Sequence, residues 1–103
     1  MKTVQLRRYT IREGEYDAFV AWWVSEMPKL RDAFGFTIEF AYGIPETNEF
    51  MWAVGVAGSA ERFAEVEARY LASAERAAVM GAIPERVAER NIRLVTEVRG
   101  ATP

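Results

Sequence analysis

The chain has 103 residues, half of them hydrophobic and 27% charged, which predicts one globular domain spanning residues 1–103. A net charge of −2 and a pI of about 5.2 argue against the clustered positive surface on which binding to nucleic acid or anionic membrane rests. With no cysteine and no histidine, the chain also lacks disulfides, thiolate or histidine metal ligands, Ser-His-Asp and Cys-His nucleophile activation, and a histidine-ligated haem.

Any acid–base chemistry therefore falls to Asp, Glu, Tyr, Lys, Arg or bound water. No cofactor and no metal are expected. No apolar run nears the ~20 residues of a membrane-spanning helix, and the opening MKTVQLRRYT lacks the apolar core of a signal peptide. A cytoplasmic location is the default expectation. Of the 13 basic residues only Lys2 and Lys29 are lysines; the rest are arginines, whose planar fork suits bidentate pairing.

The first strand is expected over about Lys2–Arg12. Gln5, Arg7, Tyr9 and Ile11 share one face, and Val4, Leu6, Arg8 and Thr10 the other. Gly14 punctuates the exit. A helix then runs from about Glu15 to Phe34, with Tyr16, Phe19, Val20, Trp23, Met27, Leu30 and Phe34 on one stripe. Pro28 removes a backbone donor inside it and should kink the helix near Met27 or begin a second short one. Gly35 is placed to end it.

In the second strand Phe36, Ile38, Phe40 and Tyr42 alternate with Thr37, Glu39, Ala41 and Gly43. A turn is expected at Pro45-Glu46-Thr47-Asn48. The third strand, Phe50 to Ala57, sets Phe50, Trp52, Val54 and Val56 against Met51, Ala53, Gly55 and Ala57. Ser59 caps the second helix, whose stripe is Phe63, Val66 and Tyr70. Its tetrapeptide Ser-Ala-Glu-Arg recurs at Ser73, which predicts a second cap and a break in the helical region. Gly81 ends that piece, Pro84 can begin one more turn, and the last strand covers about Asn91–Arg99. A frayed tail is expected over Gly100 to Pro103.

The order β-α-β-β-α-β predicts an α+β, ferredoxin-like domain, a four-stranded antiparallel sheet with its helices on one face. The second face is then the open question. Arg, Tyr and Glu fall on it in strands one and four, and small apolar residues in strand three. A second copy would cover this face and protect the edges, so a homodimer closing into an α+β barrel is expected.

Leu6-Arg7-Arg8-Tyr9-Thr10, followed by Gly14, Phe19 and Trp22, resembles the opening of NIPSNAP-type domains. Leu30-Arg31 and Phe34-Gly35-Phe36 resemble that family's passage from helix one to strand two, and Pro28 fits its usual place there. The resemblance implies a dimeric α+β barrel and no settled activity. The chain departs from the family pattern in strand three, where Met51-Trp52-Ala53-Val54-Gly55 has no histidine, and over Ser73–Ile83, which has no tryptophan.

Arg7 and Tyr9 lie two apart on a strand and so project together. In the barrel they could hold a carboxylate, enolate or phenolate and donate a proton to it. The plainer reading pairs Arg7 with Glu39 or Glu97 across the sheet and packs Tyr9 at the dimer interface. Glu39 is the candidate base, since a carboxylate in a partly apolar cavity can have a raised pKa; as an edge residue it equally suits a bridge. Trp22 flanks the helix stripe and could line a pocket mouth or simply pack. Met51 is the one large side chain on strand three's otherwise small face and completes the set of ligand-binding candidates. The run Gly55 to Ser59 lacks the spacing of either nucleotide fingerprint and reads as a strand exit with a serine cap.

Two functions survive. One is a homodimer that binds a small, largely apolar or aromatic molecule. The other is a cofactor-independent monooxygenase or polyketide-cyclase-type enzyme acting on an enolisable or phenolic ring, with Arg7 holding the oxyanion, Tyr9 orienting the ring and Glu39 moving a proton. Strand three has no basic-glycine-aromatic signature of an RNA-recognition sheet, which fits the acidic charge. No nucleic-acid or membrane partner is expected.

Overall fold

The computed structural model describes residues 1–98; the tail expected to fray, Gly100 to Pro103, lies outside the described residues. β1 (Lys2–Ile11) lies inside the sheet, its buried row Gln5, Arg7, Tyr9 and Ile11 alternating with more exposed neighbours. It is followed by α1 (Tyr16–Ala33), β2 (Thr37–Ile44), β3 (Glu49–Ala57), α2 (Ala60–Leu71), α3 (Ala74–Gly81) and β4 (Val87–Val95). The sheet order is β2-β3-β1-β4 with every neighbouring pair antiparallel. This is the ferredoxin-like α+β layout expected from the order of elements. Among the described residues no helix is long and apolar enough to cross a membrane.

Register decides which sheet face is covered. Gln5 stands opposite Val54, Arg7 opposite Trp52 and Tyr9 opposite Phe50. Tyr9, Phe50, Trp52 and Val54 join Phe19, Trp23, Met27 and Leu30 of α1 and Phe63, Val66 and Tyr70 of α2 in one core. Arg7 and Tyr9 are therefore on the helix-covered face, which corrects the expectation that they point to the open side awaiting a partner. A strand's side chains change face only as a set. The ring of Tyr9 and the bulk of Ile11 carry Arg7 and Gln5 inward with them.

A second correction comes from β2. The pairing with β3 slips between Ile38 and Phe40, leaving Glu39 as the extra residue of a bulge. Such an insertion reverses the alternation beyond it. Ile38 stays against the core, but Phe40 now pairs with Ala53 and Tyr42 with Met51. Both rings lie on the open face, 37% and 67% exposed, with centroids 5.7 Å apart. Gly43 takes the inward place, where the Tyr16 phenol lies over it so closely that no Cβ fits.

The helix ends follow the local signals. Ser59 accepts from the Arg62 N–H and Ser73 from the Arg76 N–H, so the repeated tetrapeptide caps two separate helices. Gly35, at φ +91°, ends α1: its N–H donates to the Asp32 carbonyl, and that of Phe36 to the Arg31 carbonyl. These paired bonds form a Schellman motif. Asn48, at φ +55°, closes the turn after a single 3-10 turn at Pro45–Thr47. Pro28 neither splits α1 nor starts a new helix, since Tyr16–Ala33 is one helix. Pro84 starts no further turn, and β4 begins at Val87 rather than Asn91.

Candidate functional site

The inward row of β1 is polar at its centre because its polar groups bond one another. Arg7 donates from Nε to Gln5 Oε1 at 2.8 Å, from Nη1 to Tyr9 Oη at 2.8 Å and from Nη2 to Glu67 Oε2 at 3.2 Å. Every nitrogen of its fork is engaged, and its charge is met by Glu67 of α2. The partner expected across the sheet, Glu39 or Glu97, is not the one used; the cross-strand neighbours of Arg7 are Trp52 and Ile92. Arg7 also lies over the Trp52 ring at 5.3 Å. Because a guanidinium can only donate, Tyr9 Oη accepts from it and keeps its own proton to give elsewhere.

Above this row, between the sheet and the helices, is a cavity of about 570 Å³. That lies within the usual range of small-molecule sites. Its aromatic wall includes Tyr9, Phe19, Trp22, Trp23, Trp52 and Tyr70, so every tryptophan of the chain reaches it. Edge-to-face packing fixes these rings: Trp23 meets Trp52 at 5.3 Å and 74°, and Phe19 meets Phe50 at 5.2 Å and 73°. The remaining lining residues come from α1, α2, α3, the segment after α3 and β4. The cavity thus belongs to the covered side of one chain.

Charge is distributed unevenly around it. Glu67 meets Arg7, and Glu85 meets Arg90 at 3.1 Å. Burial pushes the Glu85 carboxyl up, but the Val87 N–H and the Arg90 guanidinium outweigh it and hold the group below the usual carboxylate range. Arg86 is bridged to Glu15 at 3.1 Å. Arg31 and Arg76 also line the cavity, and neither has a carboxylate partner among the described residues.

Arg31 is the most unusual of them. It is 3% exposed, its Nε and Nη1 have no hydrogen-bond partner among the described residues, and its guanidinium lies over Tyr70 at 4.2 Å, Phe36 at 4.6 Å and Trp52 at 5.2 Å. Burial pulls its pKa down to about 10; Tyr70 counters this electrostatically and the neighbouring charge of Arg7 adds to it. The Schellman motif holds its backbone and anchors the base of the side chain.

Of the residues singled out in the sequence, the structure brings Arg7, Tyr9 and Trp22 to the cavity. Glu39 and Met51 lie on the opposite, open face. Glu39 bridges Lys2 at 2.7 Å and reaches over Gly55, while Met51 is paired with Arg8 and Tyr42. A single site of Arg7, Tyr9 and Glu39 is therefore not formed within this chain: Glu39 keeps the open face that alternation with Ile38 gives it, and Arg7 and Tyr9 are on the covered one. Arg31, Glu67, Tyr70 and Arg76 were missed as site residues. Arg31 did carry a signal, four residues after Met27 and eight after Trp23, which puts a cation in the core register of α1. Among the described residues no carboxylate cluster is placed to hold a metal ion.

No protein-family model matches the chain, and no curated protein matches it. Solved structures do. A NIPSNAP family protein from Agrobacterium tumefaciens superposes with a TM-score of 0.83 at 14% identity, over 97% of this chain and 96% of that one. A NIPSNAP domain protein from Burkholderia xenovorans gives 0.81 at 14% identity, over 100% of both chains. This chain has the NIPSNAP fold. The likeness extends to a proposed monooxygenase from Lactobacillus acidophilus, with a TM-score of 0.71 at 12% identity, covering 92% of this chain but 44% of that protein. At such identities the shared NIPSNAP fold carries over and activity does not.

Proposed function

We propose that this NIPSNAP-like protein is a homodimer in which each chain binds a small, largely apolar or aromatic molecule in its sheet–helix cavity. The observation that carries the reading is a cavity of about 570 Å³ walled by rings, with the Arg7–Tyr9 pair at its floor. The seat of the ligand is then within each protomer rather than in a shared barrel interior. Dimerisation is supported by the open sheet face, where Phe40 and Tyr42 stand exposed beside small residues of β3.

The test is native mass spectrometry of the purified protein. A dimer carrying a discrete added mass is expected, and release of that mass on denaturation identifies the ligand class. A monomer at micromolar concentration overturns the dimer. Tyr42→Glu, which puts a charge on the open face, is expected to shift the dimer towards monomer without changing ligand uptake.

A second reading is a cofactor-independent monooxygenase or cyclase. It is favoured by the free proton on Tyr9 at the cavity floor and by the fold shared with the proposed monooxygenase. Oxygen uptake with hydroxyquinone-type compounds, lost in Tyr9→Phe, is the expected result. No uptake across such a panel by ligand-free protein removes this reading and leaves the binding role intact.

A further inference from the structure

The cavity wall holds two positive charges with no carboxylate partner among the described residues. Arg31 and Arg76 lie over the ring of Tyr70, at 4.2 and 5.6 Å from its centroid. Each also has a sealed nitrogen without a partner: Nε and Nη1 of Arg31 and Nε of Arg76. The indole N–H groups of Trp23 and Trp52, both on lining residues, are likewise unpartnered. All of these orphaned groups are donors. Among the described residues the one sealed side-chain acceptor without a partner, Glu39 Oε2, lies on the far side of the sheet. A neutral hydrocarbon would leave these donors and charges unmet. A ligand with a compact, acceptor-only group would meet the two charges.

We propose that the cavity selects an aryl carboxylate, whose carboxylate docks beside Tyr70 against Arg31 and Arg76 and whose ring lies among Trp22, Trp23 and Phe19. This rests on the binding role proposed above and names its ligand class. A carboxylate fits better than a bare apolar ring because it supplies two coplanar oxygens to a planar fork. A singly charged group is favoured over a dianion because so little of Arg31 reaches solvent, where a second negative charge would be costly to desolvate. Arg7 is the less suitable anchor, since Glu67, Gln5 and Tyr9 already occupy its fork. Its place is to hold Tyr9, whose spare proton can reach the same ligand.

The test compares 2-naphthoate with 2-naphthamide, which share a ring and nearly a shape but differ in charge. Isothermal titration at pH 7 is followed in parallel by the fluorescence of the tryptophans, all of which line the cavity. The acid is expected to bind the ligand-free dimer at least about tenfold more tightly than the amide. In Arg31→Met that preference is expected to fall severalfold while the amide still binds, and Arg31→Lys should restore part of it. Arg76→Gln, at the second guanidinium over the same ring, gives an independent reading if Arg31→Met does not fold. Equal affinity for acid and amide overturns the carboxylate subsite and leaves the cavity's binding role standing. Binding of neither at millimolar concentration overturns both.

Discussion

Replacing Arg31 with methionine removes a charge that the fold holds away from water. Burial brings the guanidinium down to a pKa of about 10. At neutral pH a displacement of that size corresponds to roughly 3 kcal/mol of penalty on the charged form. Stacking over Tyr70, Phe36 and Trp52 returns part of it, of order 1–2 kcal/mol for a desolvated cation. Methionine fills similar volume without charge, and replacing a buried ion with an apolar side chain is often neutral or stabilising. Arg31→Met is therefore expected to stabilise the ligand-free protein by roughly 1–2 kcal/mol, a rise in Tm of about 5–10 °C for a domain of this size.

The sign with pH follows from the same displacement. Arg31 binds its proton more weakly in the folded chain than in the unfolded one, so the penalty is full below about pH 10. It fades as pH rises through that value. The gap between variant and wild type should then be constant from pH 6 to 9 and narrow above 10, read by urea titration at each pH with unchanged m. A variant less stable than wild type by more than about 1 kcal/mol at pH 7 refutes the reasoning. It would mean that Arg31 is satisfied in the ligand-free state and that the cavity has no unmet charge at that point.

Gly43→Ala is expected to cost about 1–2 kcal/mol by forcing the Tyr16 phenol off β2, and thermal unfolding checks it. Ser73→Ala should cost about 1 kcal/mol through loss of the α3 cap; because Ser73 Oγ also donates to the Tyr70 carbonyl at 2.7 Å, amide exchange should rise on both sides of the break. The Glu85 carboxyl sits below its ordinary value when folded, so its stabilisation is complete above about pH 4.5 and is lost as pH falls further. Glu85→Gln should flatten that part of the acid-unfolding curve, and an unchanged curve would count against the Arg90 and Val87 contacts.

Much of the architecture was legible because it is written in local chemistry. The caps at Ser59 and Ser73, the stop at Gly35 and the turn ending at Asn48 depend on residues within a few positions of one another. The inward stripe of α1 needs only helical periodicity. Arg7 and Tyr9 were legible as a pair for the same reason, being two apart on a strand. Their surroundings were not. Glu67 lies 60 residues from Arg7, and nothing in the spacing of either announces the bond between them.

The sequence by itself determined the order of the elements, the ends of the helices, and which residues of β1, β3 and α1 share a side. Only the tertiary structure decided which side of β1 the helices cover, since alternation fixes a parity and not its direction. It also decided the bulge at Glu39, which sends Phe40 and Tyr42 outward. And it brought Arg31 and Arg76 to one ring across 45 residues of chain, leaving two guanidinium groups without carboxylate partners among the described residues. Burial and long-range pairing set the free energy of those charges, and neither can be read from neighbours along the chain.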